Sequence, residues 1–459
     1  MSDHPIPGSG RDAEPGARAL GPCDPAQRLQ VSLVVRPRAS ENFHSRVQKM
    51  ERGEPADVHL SREAFASQFG AAPDDLAKVS EFAASHGLAV SRVDAAARTM
   101  VLAGCVGQFN AAFGIALQHY EHQRGDQVLT HRGHAGDVRV PAALKGIVTA
   151  VLGLDDRPQA RTHFRFRPPI RPAAGRAPVS YTPVELAALY NFPAGDGKGQ
   201  CIGLIELGGG YEMSDLRAYF AQLGMPVPSV IAIPVDDGRN QPDGNPNGPD
   251  GEVTLDIEVA GAIAPGARLA VYFAGNTDAG FVNAVNAAVH DTTNRPSVIS
   301  ISWGGPEPAW TRQSMTVFNE ALQAAATMGV TVCVASGDSG SGDGVGDGGN
   351  HVDFPASSPF ALACGGTRLD GSGATIRSEV VWNDGARGGA GGGGISAVFP
   401  VPAWQKGLRA AGSGAGSGPG SGSASAAKGG KESGPGRGSK GGNSESGDTD
   451  ETSGATLVR

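Results

Sequence analysis

Glu252 and Asp256 stand four residues apart in the run Gly251-Glu252-Val253-Thr254-Leu255-Asp256-Ile257-Glu258-Val259-Ala260-Gly261. On a helix that spacing puts both carboxylates on one face, with Cβ atoms about 5–6 Å apart. Val253, Leu255, Ile257, Val259 and Ile263 leave little of such a helix facing water. Two carboxyls held together where water is scarce do not both ionise easily, so one pKa rises. In this way a protein builds a general base and a proton-sharing partner from acids alone. The competing reading is a solvated acidic helix start, where the macrodipole favours Glu252.

The elements around this helix alternate. Cys201 to Leu207, Val230 to Val235, Leu269 to Phe273, Val298 to Ser302 and Thr331 to Ala335 are apolar runs of strand length. Helices are predicted between them, from Ser214 as N-cap to Leu223, over Ala279 to His290, and over Gln313 to Met328. Repeated βα units with near-continuous apolar strands imply a parallel sheet covered on both faces. Functional loops in such sheets lie at the carboxyl ends of the strands. Here those ends read Glu206 followed by Gly208-Gly209-Gly210-Tyr211, Ser302-Trp303-Gly304-Gly305-Pro306, and Ser336-Gly337-Asp338-Ser339-Gly340. Glycine lets backbone approach a ligand closely. Phosphate is disfavoured, because no Gly-x-Gly-x-x-Gly opens a helix at these ends and no P-loop lysine is present.

Upstream the pattern is mixed. Residues 1–27 are polar and rich in Pro and Gly and read as a disordered leader. Residues 28–156 read as a separate α+β unit with helices on one face of an antiparallel sheet. Its predicted strands are Arg28 to Val35, Thr99 to Ala103 and a hairpin around Arg124-Gly125-Asp126. Its predicted helices are Asp74 to His86, Gln108 to Phe113 and Ala142 to Leu152. Residues 157–178 hold six arginines among prolines and read as an extended, cleavable linker. Residues 179–406 form the βα unit, and residues 407–459 are a Gly/Ser-rich tail expected to be disordered.

Composition narrows the classes. The 459-residue chain carries a net charge of −8 with a pI near 5.8, which argues against a nucleic-acid partner. No apolar run approaches the ~18 residues of a membrane span, and no secretory h-region is visible. The cysteines at 23, 105, 201, 333 and 364 have no metal-ligand spacing and read as buried small apolar residues.

The motifs GEVTLDIEVAGAIAPGA, CIGLIELGGGY, SISWGGPE, ASGDSGSGDG, HVDFPASSPFALACGGT and VVWND run in order from Tyr181 to about Trp404. In them the chain resembles the sedolisin family of serine-carboxyl peptidases, on its kumamolisin-like side. The resemblance implies a subtilisin-like doubly wound parallel sheet, preceded by a ferredoxin-like α+β activation prodomain over residues 28–156. It implies a secreted endopeptidase proenzyme acting on polypeptides at acidic pH, inhibited by its own prodomain and cut between Arg157 and Tyr181. Glu252 takes the role of general base, Asp256 that of the acid orienting it, and Asp338 that of an oxyanion donor. A protonated Asp338 can donate a hydrogen bond to a developing oxyanion. Glu206 and Trp303 match positions that extend the carboxylate network, with ordinary strand-end packing as the alternative. Ser302, Gly304 and Gly305 match cleft backbone that pairs with an extended peptide.

The chain also departs from the family. The nucleophile expected in a Gly-Thr-Ser-x-x-x-Pro motif is missing, since Gly366-Thr367 is followed by Arg368. The section after Trp404 that would carry this serine, the closing elements and a Ca2+ site is absent too. The sheet is thus expected to be C-terminally incomplete and the chain inactive as written, whether truncated or frameshifted. A non-catalytic peptide-binding homologue is the alternative.

Overall fold

The computed structural model describes residues 3–14, 16–54, 58–124, 127–163 and 180–408. The N-terminal unit opens with β1 (Asp3–Pro5), β2 (Arg18–Pro22) and β3 (Arg28–Val35). Helices α1 (Ser40–Glu51), α2 (Arg62–Phe69) and α3 (Pro73–Ser85) follow. Next come β4 (Ala89–Asp94), β5 (Thr99–Cys105) and α4 (Val106–Phe113), then β6 (Gln118–Arg124), β7 (Gln127–Gly133), β8 (Arg139–Pro141) and β9 (Val148–Leu152). The order β4-β5-β3-β9, antiparallel throughout, is the ferredoxin-like arrangement.

Strand β3 explains how this unit is used. Its side chains alternate between two buried faces. Val31, Leu33 and Val35 pack with Val79, Phe82, Phe109 and Phe113 from α3 and α4. Val34 points the other way, into a core that joins Phe43, Phe65, Ala150 and Leu152 to helices of the second unit. Ser32, also on that side, accepts a hydrogen bond from Asn283 of the second unit at 2.9 Å.

Three expectations for this unit need correction. Residues 142–152 are not a helix: a single 3-10 turn, Ala142–Leu144, gives way to β9. Gly146 sits at φ 71°, which breaks a helix, and Val148, Thr149 and Val151 favour a strand. Helices α1 and α2 were not anticipated. The leader is also built in: β1 pairs with β8, β2 pairs with β6, and Ile6 is 2% exposed. Its polar composition is offset by partners. Buried Arg11 lies 3.7 Å from Asp155 and donates to the Ala309 carbonyl at 2.9 Å.

The second unit begins with β10 (Arg161–Thr162) and α5 (Pro183–Leu189). It continues through β11 (Cys201–Glu206), α6 (Met213–Gln222), β12 (Ser229–Pro234), α7 (Pro249–Ile263), β13 (Arg268–Phe273) and α8 (Asp278–His290). β14 (Val298–Ile301), β15 (Trp303–Pro306), α9 (Arg312–Thr327) and β16 (Thr331–Ala335) come next, then β17 (Asp353–Phe354), β18 (Leu362–Cys364), β19 (Thr367–Ser372) and β20 (Thr375–Val381). Six parallel strands run in the order β12-β13-β11-β14-β16-β18. α6 and α7 cover one face and α8 and α9 the other, so the sheet is doubly wound as expected. The strand order reverses between β11 and β14, the place where such sheets hold their sites. Two details differ from expectation. α6 begins at Met213 with no side-chain cap, so Ser214 lies inside it. Cys23 and Cys201 are buried, but Cys364 is exposed, and all five thiols are free.

Of the predicted linker, Arg157 is buried and paired with Asp155 at 2.7 Å; residues 164–179 lie outside the described residues, as do residues 409–459 of the predicted tail. Among the described residues no helix is long and apolar enough to cross a membrane.

Candidate active site

Helix α7 enters the sheet's reversal point with its first turn. Asp250 fixes that turn: its carboxylate accepts from the backbone N–H of Gly210 at 2.9 Å, Asp243 at 2.8 Å and Gly244 at 2.7 Å. Two glycine-rich loops are thereby pinned to the start of the helix. Glu252 follows, 1% exposed, with Oε2 buried and without a hydrogen-bond partner. Asp256, one turn on, accepts from the Ser302 hydroxyl on both oxygens at 2.9 Å. Glu206, fully buried at the end of β11, accepts from Trp303 Nε1 at 2.9 Å through one oxygen while the other has no partner.

These carboxyls perturb one another. Burial is the first cause for each. It pushes Glu252 up to about 9, with Asp256 and then Asp338 adding repulsion. Asp256 rises to about 6 through burial, opposed by the Ser302 hydroxyl. Glu206 is raised well above the carboxylate range by burial and by Asp256. The expected pair is thus a cluster of acids that holds protons near neutrality. Asp338 lies in the loop after β16, close enough to bear on Glu252 and on His163; its carbonyl accepts from Ala390 N–H at 3.1 Å.

β15 lies beside this cluster with a short antiparallel strand on its open edge. β10 pairs with it, Arg161 opposite Gly304 and Thr162 opposite Trp303, and His163 N–H donates to the Ser302 carbonyl at 2.9 Å. Gly304 has no room for a side chain, since a Cβ there would collide with the Asp353 carboxylate. The other edge of β15 pairs with β17. Ser302 therefore faces both ways, its carbonyl holding the incoming strand and its hydroxyl holding Asp256.

Sequence reasoning missed the groups that receive the strand's side chains. His163 Nε2 lies 3.2 Å from Asp353 Oδ2, and both side chains are almost wholly buried. Burial alone would lower the imidazole's pKa, but Asp353, Asp338 and Asp343 outweigh it and hold it above the usual value. Arg161 pairs with buried Asp343, whose carboxyl is pushed up to about 7 by burial and then by Asp353. The acids in Ser341-Gly342-Asp343 and Val352-Asp353-Phe354 carried no spacing signal, because the loop that folds them together has no periodicity.

The Ca2+ expected from the resemblance finds no fit here. Among the described residues no group of three or more His, Cys, Asp or Glu side chains is arranged to hold a metal ion.

Comparison with known proteins finds relatives of this chain. Residues 15–157 match the model of the pro-kumamolisin activation domain. Kumamolisin of Bacillus sp. (strain MN-32) is 52% identical over 411 residues, 87% of this chain and 73% of that protein. Tripeptidyl-peptidase sed5 of Aspergillus fumigatus is 28% identical over 445 residues, covering 88% and 74%. Among solved structures, Pseudomonas sedolisin, a serine-carboxyl proteinase complexed with two molecules of pseudo-iodotyrostatin, matches 49% of this chain and 65% of its own. Its TM-score is 0.44 and its sequence identity 28%.

Proposed function

The chain belongs to the sedolisin family and carries a kumamolisin-like activation prodomain, and from that premise we propose that it is the proenzyme form of an acid-acting serine-carboxyl endopeptidase. Residues 28–156 are its prodomain, residues 179–406 its peptidase domain, and polypeptides its substrates, the proenzyme being exported to an acidic setting. The observation that carries the reading is the strand Arg161–Thr162 seated antiparallel on β15 beside the carboxylates. A peptide substrate added to the same edge would make the same backbone bonds. The chain's own segment therefore occupies the cleft, and the cut that frees it falls just after His163, within the 157–181 window. Asp343 and Asp353, which receive Arg161 and His163, favour basic side chains in substrates at those positions.

In this reading Glu252 is the general base and Asp256, held by the Ser302 hydroxyl, orients it. Asp338, protonated in acid, donates to the oxyanion. Glu206 with Trp303 backs the pair. Once the strand has left and Glu252 has given up the proton that burial keeps on it, a serine hydroxyl delivered to its Oε2 would pass its own proton there as it attacks the peptide carbonyl. The carbonyl oxygen becomes the oxyanion, and the leaving amine recovers the proton as the acyl-enzyme forms. The Gly-Thr-Ser-x-x-x-Pro motif that would carry this serine does not occur among the 459 residues.

A graft tests this. Joining the kumamolisin sequence that follows the aligned Trp404 supplies the missing hydroxyl. Hydrolysis of a protein substrate below pH 5 should appear in the graft, stay absent from the 459-residue chain, and fall at least about a hundredfold in Glu252→Gln. Full activity in the Glu252→Gln graft would overturn the role of Glu252. Peptide bound by the ungrafted chain without turnover, measured by calorimetry, would favour the peptide-binding reading.

A further inference from the structure

Away from the cleft, the two units meet along α8 and α9. His290 ends α8, and its ring lies against Phe65 of α2 with centroids 5.5 Å apart. Its Nδ1 is shut away from solvent without a hydrogen-bond partner. Beside it Arg62, the first residue of α2, donates to the Val289 carbonyl at 2.8 Å and the Pro296 carbonyl at 2.6 Å. A guanidinium from the N-terminal unit thus occupies the carbonyl end of α8, where a helix attracts cations. The other charges around the ring are engaged elsewhere. Asp94, the last residue of β4, accepts from Ala97 N–H at 2.9 Å, and Arg98 pairs with Glu320 of α9 at 2.7 Å. Glu63 of α2 pairs with Arg295 at 2.8 Å, and Asp291 accepts from Tyr272 at 2.7 Å.

We propose that His290 is a proton-operated release point for the N-terminal unit: once protonated, its imidazolium competes with the Arg62 guanidinium for the carbonyl end of α8, and α2 lets go. The proposal rests on the reading of that unit as a detachable prodomain. The sign follows from the surroundings. Burial holds the docked imidazole down to about 4; Asp94 pulls it up, while Arg98 and Arg62 push it further down. Undocked, the ring returns toward its ordinary value near 6.5. The separated state therefore takes the proton first as pH falls. His290 weakens docking from about pH 6.5 downward, by on the order of ten- to a hundredfold near pH 4.5. Asp278, at the other end of the interface, works against this. It accepts from Gly153 N–H at 2.9 Å, and its carboxyl is pushed up to about 6, by burial first, with Arg11 opposing and Asp155 adding. It holds its proton better when docked and strengthens docking in acid. Without His290, the pH dependence should reverse.

Hydrogen exchange of the full 459-residue chain, corrected for intrinsic rates, reads this at the α2 amides. Wild-type protection there should fall at least tenfold between pH 7 and pH 4.5. His290→Phe and His290→Gln should keep it or gain; the Gln variant serves if Phe disturbs folding. Loss of α2 protection in both variants to the wild-type extent overturns the role of His290 and leaves the detachable prodomain standing. Wild-type α2 protection that does not change with pH overturns both.

Discussion

Glu252 is a base that the folded, self-occupied chain keeps protonated. Its carboxyl is held at about 9 against 4.5 for an ordinary glutamate, burial first. A raised folded-state pKa contributes stability that is whole below the unfolded value and is lost as pH rises through the folded one. For Glu252 that window runs from about 4.5 to about 9, and for Asp256 from 3.8 to about 6. The full chain should therefore melt lower at pH 8 than its Glu252→Gln variant, and the two should converge by pH 4. Melting curves that differ by the same amount at every pH would refute the raised pKa. Glu252 and Asp256 were legible because both ride one helix at a fixed spacing. The Ser302 hydroxyl was not: its sequence placed it as cleft backbone, and only the fold turns its side chain onto Asp256. Asp343 and Asp353 were illegible for a related reason, since they converge through a loop.

The pairing of β10 with β15 depends on a position with no side chain. At Gly304 a Cβ would meet the Asp353 carboxylate and lie 2.9 Å from His163 Nε2. Gly304→Ala should push β10 off its edge and expose Arg161. Trypsin cleavage after Arg161 should then be at least about tenfold faster than in wild type; an unchanged rate would mean that the strand is not seated through Gly304. Elements with a strong period, such as β3, β11 and β16, were read to within a residue. β9 was not, because a short run of valines after an alanine pair satisfies a helical face as well as a strand. α1 and α2 went unread although Phe43 and Val47, and Phe65 and Phe69, stand four apart on one face of each helix: these buried residues are few and serve an interface.

The arginine-rich segment suggested two separable units, yet one core runs through both. Phe65 and Phe69 from the N-terminal unit share a cluster with Phe281, Val285 and Phe318. Emptying the Phe65 site with Phe65→Ala should cost about 3–5 kcal/mol. In denaturant it should lower one common transition, with near-ultraviolet signal and far-ultraviolet signal moving together. Two separate transitions in the wild type would contradict a shared core. Nothing in either unit's sequence announces this, because an apolar face reads the same whether it covers its own sheet or a neighbour's helix.

The seated strand also changes what a titration of the intact chain would measure. β10 is joined to β9 through ordered residues 153–160, so its local concentration at the β15 edge is of order millimolar or above. A free peptide at micromolar concentration competes against that tether, however well its side chains suit Asp343 and Asp353. The apparent affinity of any added ligand then reports how often the chain vacates its own groove. Ligands of quite different intrinsic strength would be weakened by one common factor, and that factor is the closing constant of the strand.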